Sequence, residues 1–227
     1  MADGDPVLVD PELSRAKLVR QVEQFQVHAD AYRRRGYWIV RQDDLDVYIA
    51  FAARVRLTLM SPPAPAITAF VRLRHNNLDL WAPSLTFLDF FTEQPIMPVV
   101  EARQYVHGQP RNLVVAPHPL TGLPFLCLRG LREYHSHPQH DGDAWSLCRL
   151  ETNLTTICDA IWQLMVRNVV GVKMEWMAGN VKQNLGFQLV QEDVDAQAAQ
   201  LQLVQIVQQV GLVPAPTPAA RTEELGV

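Results

Sequence analysis

No run of eighteen or more apolar residues occurs in this chain, so no segment reads as a membrane-spanning helix. Basic charge is scarce as well. Lys and Arg number 20 against 24 Asp and Glu, for a net charge of −4, and no long basic run stands out. That balance gives little electrostatic reason to bind nucleic acid or an anionic membrane. Cysteine is sparse and odd in number: three residues cannot all pair within the chain. The opening residues, MADGDPVLVDPELS, are acidic and lack an apolar signal core, so the expected location is the cytoplasm, with reduced thiols. A free thiol there is a small buried hydrophobe, a metal ligand or a nucleophile. What remains is ordinary for a globular protein. With 227 residues, 48% hydrophobic and 19% charged, the chain suits one medium domain with extensions.

The patterning predicts an N-terminal extension over 1–10, a folded domain over 11–211 and a flexible tail over 212–227, whose PAPTPAARTEELGV has the composition of a disordered tail. Pro11 to Arg35 reads as one helix. Leu13, Ala16, Leu18, Val22, Phe25 and Ala29 supply its apolar face, with Asp10 as N-cap and Gly36 as stop. Strand-like runs follow at Tyr37–Val40, Leu45–Phe51, Ala53–Met60 and Ile67–Arg74, then an apolar run over Leu80–Phe90. Short turns between them predict an antiparallel meander. Thr92 to Asn112 holds three prolines and reads as an irregular insertion, with a helical turn around Val100 to Val106. Asn153 to Val166 reads as a helix capped by Asn153 or Thr155, and Asp193 to Val210 as another, stopped by Gly211.

The chemistry concentrates in Pro117 to Trp145, PHPLTGLPFLCLRGLREYHSHPQHDGDAW. Four of the seven histidines lie there (His118, His135, His137, His140), with Cys127 and the acids Glu133, Asp141 and Asp143. Such a density of ligand-type and nucleophile-type side chains has no rival elsewhere in the chain. His28, His75 and His107 lie outside it, and Trp145 and Trp162 read as packing anchors.

The order helix, antiparallel meander, proline-marked loop, active-site-like stretch, helices resembles that of ubiquitin-conjugating enzymes. Local residues carry the comparison over roughly 11–170. FVRLRHNNLDLWAPSLTF, Phe70 to Phe87, resembles that family's third strand, proline-containing turn and fourth strand, with only Pro83 kept. His118-Pro119-Leu120, Gly122 and Cys127-Leu128 resemble its His-Pro-Asn motif, glycine and catalytic Cys-Leu. Leu120 stands where the family has its asparagine. Asn153 to Met165 resembles the helix after the active site. The resemblance implies an α+β fold with an N-terminal helix, a meander sheet, an active-site loop with an insertion, and C-terminal helices.

Within the insertion, Cys127 followed by Glu133, His137 and His140 resembles the bacterial CEHH family, named for those residue types and predicted to bind metal. That family is associated with operons encoding ubiquitin-like proteins and activating enzymes. The resemblance implies a carrier in bacterial ubiquitin-like conjugation, tied to antiphage defence. It would accept a ubiquitin-like protein on Cys127 from an activating enzyme and pass it to a target protein. Glu133, His137 and His140 would then form the supporting shell. A histidine near the thiol could act as base, and an acid could orient it. Backbone N–H groups or a protonated histidine would replace the missing amide at the oxyanion. A second register also fits the motif: His137-Pro138-Gln139, Gly142 and Leu147-Cys148 would make Cys148 the nucleophile. His118 and His135 complete the secondary candidates. The carrier reading implies no cofactor. In a rival reading, Cys127, Glu133, His137 and His140 are four zinc ligands; in another, the domain is an adaptor without chemistry.

Overall fold

The computed structural model describes residues 8–56, 62, 64–102, 104–106, 109–111, 115–140, 142–167, 169–178 and 181–190. The chain opens with α1, Pro11–Val27, whose N-cap Asp10 accepts a hydrogen bond from the Leu13 N–H at 2.9 Å, with Pro11 in the first turn. The single helix expected over Pro11 to Arg35 is in fact two. His28 leaves helical geometry (φ −115°, ψ 18°), and α2, Ala29–Arg35, starts anew. The break turns Tyr32 back onto Phe25 and lets it stack on Tyr37 at 5.3 Å. Gly36, at φ 99°, ends α2 in the left-handed region, as its position after three arginines implies.

Strands β1 (Tyr37–Asp43), β2 (Asp46–Arg56), β3 (Ala64–Arg74) and β4 (Ser84–Phe87) pair in sequence, each antiparallel to the last. The expected meander is therefore present. The runs Leu45–Phe51 and Ala53–Met60 are not separate strands, because β2 continues from Asp46 through Arg56. A register shift after Phe51 keeps its far half paired to β3. The alternation of side chains gives the sheet two apolar faces. One, with Val47, Ile49, Phe51, Val71, Leu73, Leu85 and Phe87, packs under α1 and the later helix Leu154–Trp162. The other holds Trp38, Tyr48, Ala50 and Phe70 beneath Leu88 and Phe90.

After β4 one expectation fails and one element is added. The helical turn around Val100 to Val106 is absent, for β5 (Val99–Ala102) and β6 (Gln104–Val106) run there, and β7 (Gln109–Arg111) pairs with β6. Late in the chain, β10 (Val169–Ala178) and β11 (Val181–Val190) form a long antiparallel hairpin that the sequence reading passed over. β10 pairs with β5, and β11 with the end of β2, so the meander extends to seven strands among the described residues. The helix expected over Asp193 to Val210, its stop at Gly211 and the expected tail lie outside the described residues.

Between β7 and β10 the chain crosses to the helical layer. β8 (Val115–Pro117) and β9 (Pro124–Leu126) form a small hairpin. α3 (Arg132–His135) follows, then 3-10 turns over Pro138–His140 and Trp145–Leu147. α4, Leu154–Trp162, is capped by Asn153, whose side chain accepts from Thr156 N–H while Thr156 reaches back to the Asn153 N–H. Its buried Leu154, Ile157, Cys158 and Ile161 join the main core, and a π turn over Gln163–Arg167 ends it. The architecture is thus α+β. No helix among the described residues is long and apolar enough to cross a membrane.

Candidate active site

The β8–β9 hairpin delivers Cys127. Val115, Phe125 and Leu126 are buried and hold it against the core. Its connection is tight: His118 N–H bonds Leu123 O and Gly122 N–H bonds His118 O, both at 2.8 Å, with Gly122 at φ 70°. At the far end of β9, Leu128 N–H bonds Leu126 O at 2.7 Å, a three-residue turn with Cys127 at its apex. Leu126 and Leu131 are buried on either side, while Cys127 is exposed. Gly130 lets the loop press onto the start of the helical layer: a Cβ there would lie 3.0 Å from Thr152 Cγ2 and 3.3 Å from Ile157 Cγ1 of α4.

α3 is fastened from below. Arg132 donates to Ala82 O at 3.1 Å and Asn76 O at 3.3 Å, and its guanidinium lies over the Trp81 ring. The Glu133 carboxylate accepts from Ser84 Oγ and from Leu85 N–H, the latter at 3.2 Å. Burial pushes this carboxyl above the usual carboxylate range, against the pull of those hydrogen bonds. Glu133 therefore joins α3 to β4. The histidine that meets it is His118, through the Glu133 carbonyl oxygen at 3.1 Å from Nε2, and the carboxylate is directed at β4.

His140 stands at the thiol. Its Nε2 is 3.4 Å from Cys127 Sγ. His137 lies next to it, ring centroids 5.2 Å apart, and is stacked on Phe125 at 5.0 Å. His118 is buried and meets both His137 and Phe125 edge-on. Three candidate imidazoles thus pack in series behind the thiol. His135 points elsewhere, with Nδ1 2.7 Å from Asp143 O and Nε2 2.7 Å from Arg129 O, so it closes the loop upon itself.

The rival thiol, Cys148, is buried, 3.8 Å from His135 Nε2, and burial pushes its pKa up. Cys158 is fully buried in the core, and burial pushes it up further. A nucleophilic thiol must be reachable and able to ionise, and of the three Cys127 alone is exposed. Leu120 keeps its side chain exposed, and its N–H is bonded to His118 Nδ1 at 3.3 Å.

The four residues proposed as zinc ligands do not converge as placed, since Glu133 bonds β4 while Cys127 and His140 face each other. Among the described residues no group of three or more His, Cys, Asp or Glu side chains gathers as metal ligands. Two participants escaped the sequence reading. Tyr134 stacks on His140 with centroids 3.8 Å apart, and its hydroxyl donates to Asp143 Oδ2 at 2.9 Å. Asp143 was visible only as one acid among several, and Tyr134 and His140 lie six positions apart on separate elements, a step that matches no helical period. The turn that joins them is tertiary.

Comparison with known proteins matches the same part of the chain. The family model described as Y4jH-like covers residues 9–106 and 102–169. The protein named uncharacterized protein y4jH, from Sinorhizobium fredii (strain NBRC 101917 / NGR234), is 33% identical over 162 residues, 62% of this chain and 75% of that protein. The matched residues run from the start of α1 past the end of α4 and include the Cys127 loop. This chain belongs to the Y4jH family.

Proposed function

We propose that this protein is a carrier of the ubiquitin-conjugating type, built on the corresponding fold and acting in a bacterial ubiquitin-like conjugation pathway of antiphage defence. One observation carries the reading: the exposed Cys127 thiol lies 3.4 Å from the His140 imidazole at the apex of a tight turn. The element order supports it, with N-terminal helices, a four-stranded antiparallel meander and, beyond β5 to β7, a His-Pro hairpin, an exposed cysteine, the α3 loop and a capped helix.

The chemistry is acyl transfer. His140 takes the Cys127 proton and leaves a thiolate. The thiolate attacks the thioester that joins the ubiquitin-like C-terminus to the activating enzyme. A new C–S bond forms on Cys127, and the activating enzyme's thiolate leaves and takes up the proton. A target amine then attacks the Cys127 thioester, and the nitrogen–carbon bond replaces the carbon–sulfur bond. His140 accepts the proton lost by the amine, and Cys127 departs as thiolate. The partners are accordingly an activating enzyme, a ubiquitin-like protein and a target protein.

The test is incubation with activating enzyme, ubiquitin-like protein and ATP, followed by a non-reducing gel. The expected result is an adduct sensitive to added thiol, present in the native chain and lost in Cys127→Ala. Loss in Cys148→Ala alone would move the nucleophile to the second motif. No adduct, with stoichiometric zinc in the purified protein, would favour the metal reading.

A further inference from the structure

His140 has little to hold it by itself. It ends a single 3-10 turn and is half-exposed. A side chain so placed samples several rotamers, and only some of them reach Cys127. The feature that selects one is Tyr134, on α3. Its ring lies nearly parallel to the imidazole, 17° off, with centroids 3.8 Å apart. Tyr134 is in turn anchored. Its hydroxyl donates to Asp143 Oδ2, and Arg129 donates to Asp143 Oδ1 at 3.1 Å from Nε and 2.9 Å from Nη2. The tether therefore runs from the loop on one side of α3 to the loop on the other. The groups facing His140 are Cys127 from the end of β9, Tyr134 from α3 and His137 from the adjoining turn. Arg129 and Asp143 stand behind Tyr134, and His118 and Phe125 behind His137.

We propose that Tyr134, tethered by Asp143, is the positioning residue that aims His140 at Cys127. The inference rests on Cys127 as the nucleophile and not on what Cys127 carries. Two effects act together. The stack removes rotational freedom that His140 would otherwise lose only on meeting the thiol. The electron-rich face of the phenol ring also attracts the imidazolium formed when the proton passes from Sγ to Nε2. No bond other than those to this proton changes in that step.

Iodoacetamide reads the pair without any conjugation machinery: the thiolate forms a C–S bond to the reagent, and iodide leaves. An unassisted thiol is only a few per cent ionised at neutral pH, so assistance is worth roughly tenfold or somewhat more in rate. The full chain is labelled at neutral pH, and the rate at Cys127 is followed by peptide mass. His140→Ala and Tyr134→Ala are each expected to slow Cys127 by roughly tenfold. Tyr134→Phe, which keeps the stack and loses the tether, recovers most of that loss, and Tyr134→Leu, which keeps bulk without an aromatic face, does not. The double variant of Tyr134 and His140 is no slower than His140→Ala alone, because one residue acts through the other. Losses that multiply would show that Tyr134 acts on Cys127 without His140 and would overturn the proposal, as would a native rate in both Tyr134→Ala and Tyr134→Leu. A chain that shows the expected cycle and yet forms no adduct with a ubiquitin-like protein keeps the positioning role and loses only the carrier reading.

Discussion

At the scale of single residues, environment sorts the three thiols. Cys158 has no exposed surface, Cys148 has almost none, and burial raises the pKa of both. Cys127 is exposed beside an imidazole. Limited iodoacetamide treatment of the folded protein is therefore expected to label Cys127 and spare the other two until denaturant is added. Equal labelling of Cys148 under native conditions would contradict this assignment. His75 makes a second case. It is buried, neither ring nitrogen has a hydrogen-bond partner among the described residues, and Arg132 is a nearby positive charge. Burial first, and that charge second, lower its pKa from 6.5 to about 4. The unfolded chain thus binds a proton below about pH 6.5, and the folded chain binds one only near pH 4. Stability is full above the higher value and falls as the pH drops toward the lower, by about 3 kcal/mol from this residue. Urea unfolding at pH 7 and pH 4.5 measures the loss, which His75→Phe should largely remove. The candidate residues themselves were legible because they crowd one short stretch. Their partners were not: whether Glu133 serves a histidine or β4 depends on where β4 lies in space, which a one-dimensional reading cannot supply.

At the scale of elements, the same contrast follows from the reach of each signal. Aromatic and β-branched runs, with alternation over Ile67–Arg74, made β1 to β4 visible, because apolar clusters cover both faces of the sheet. Capping residues made α4 visible, and the cap is testable. Asn153→Ala removes the acceptor for Thr156 N–H and should cost about 1 kcal/mol in denaturant unfolding. A neutral result would assign the helix start to Gln21, which accepts from Leu154 N–H at 2.8 Å. The break at His28 left no mark, since neither glycine nor proline stands there; the stacking of Tyr32 on Tyr37 belongs to tertiary structure. Gly179-Asn180 between two ten-residue runs was an available hairpin signal for β10 and β11. Arg132 shows how one element secures another. It holds the β3–β4 connection at Asn76 and Ala82, with Trp81 beneath its guanidinium. Lys17 pairs with Asp79, and Trp145 Nε1–H bonds Asp79 O at 3.3 Å, on the same connection. Arg132→Ala should raise amide exchange across residues 76–82 while leaving β2 and β3 protected. Unchanged exchange there would mean that Lys17 and Trp145 suffice.

At the scale of the molecule, a sheet with one face under α1 and α4 presents a small hairpin and a loop, and that loop brings Cys127 and His140 together. The Y4jH family match spans this whole arrangement, from 9 to 169. In the proposed function, Cys127 carries a ubiquitin-like protein as a thioester. Its most direct measurement is intact-protein and peptide mass analysis after reaction with activating enzyme, ubiquitin-like protein and ATP. The expected result is a mass increase equal to the ubiquitin-like protein less one water, mapped to Cys127 and released by excess thiol. An unmodified Cys127 alongside an active, charged activating enzyme, or an adduct mapped to Cys148, would contradict it.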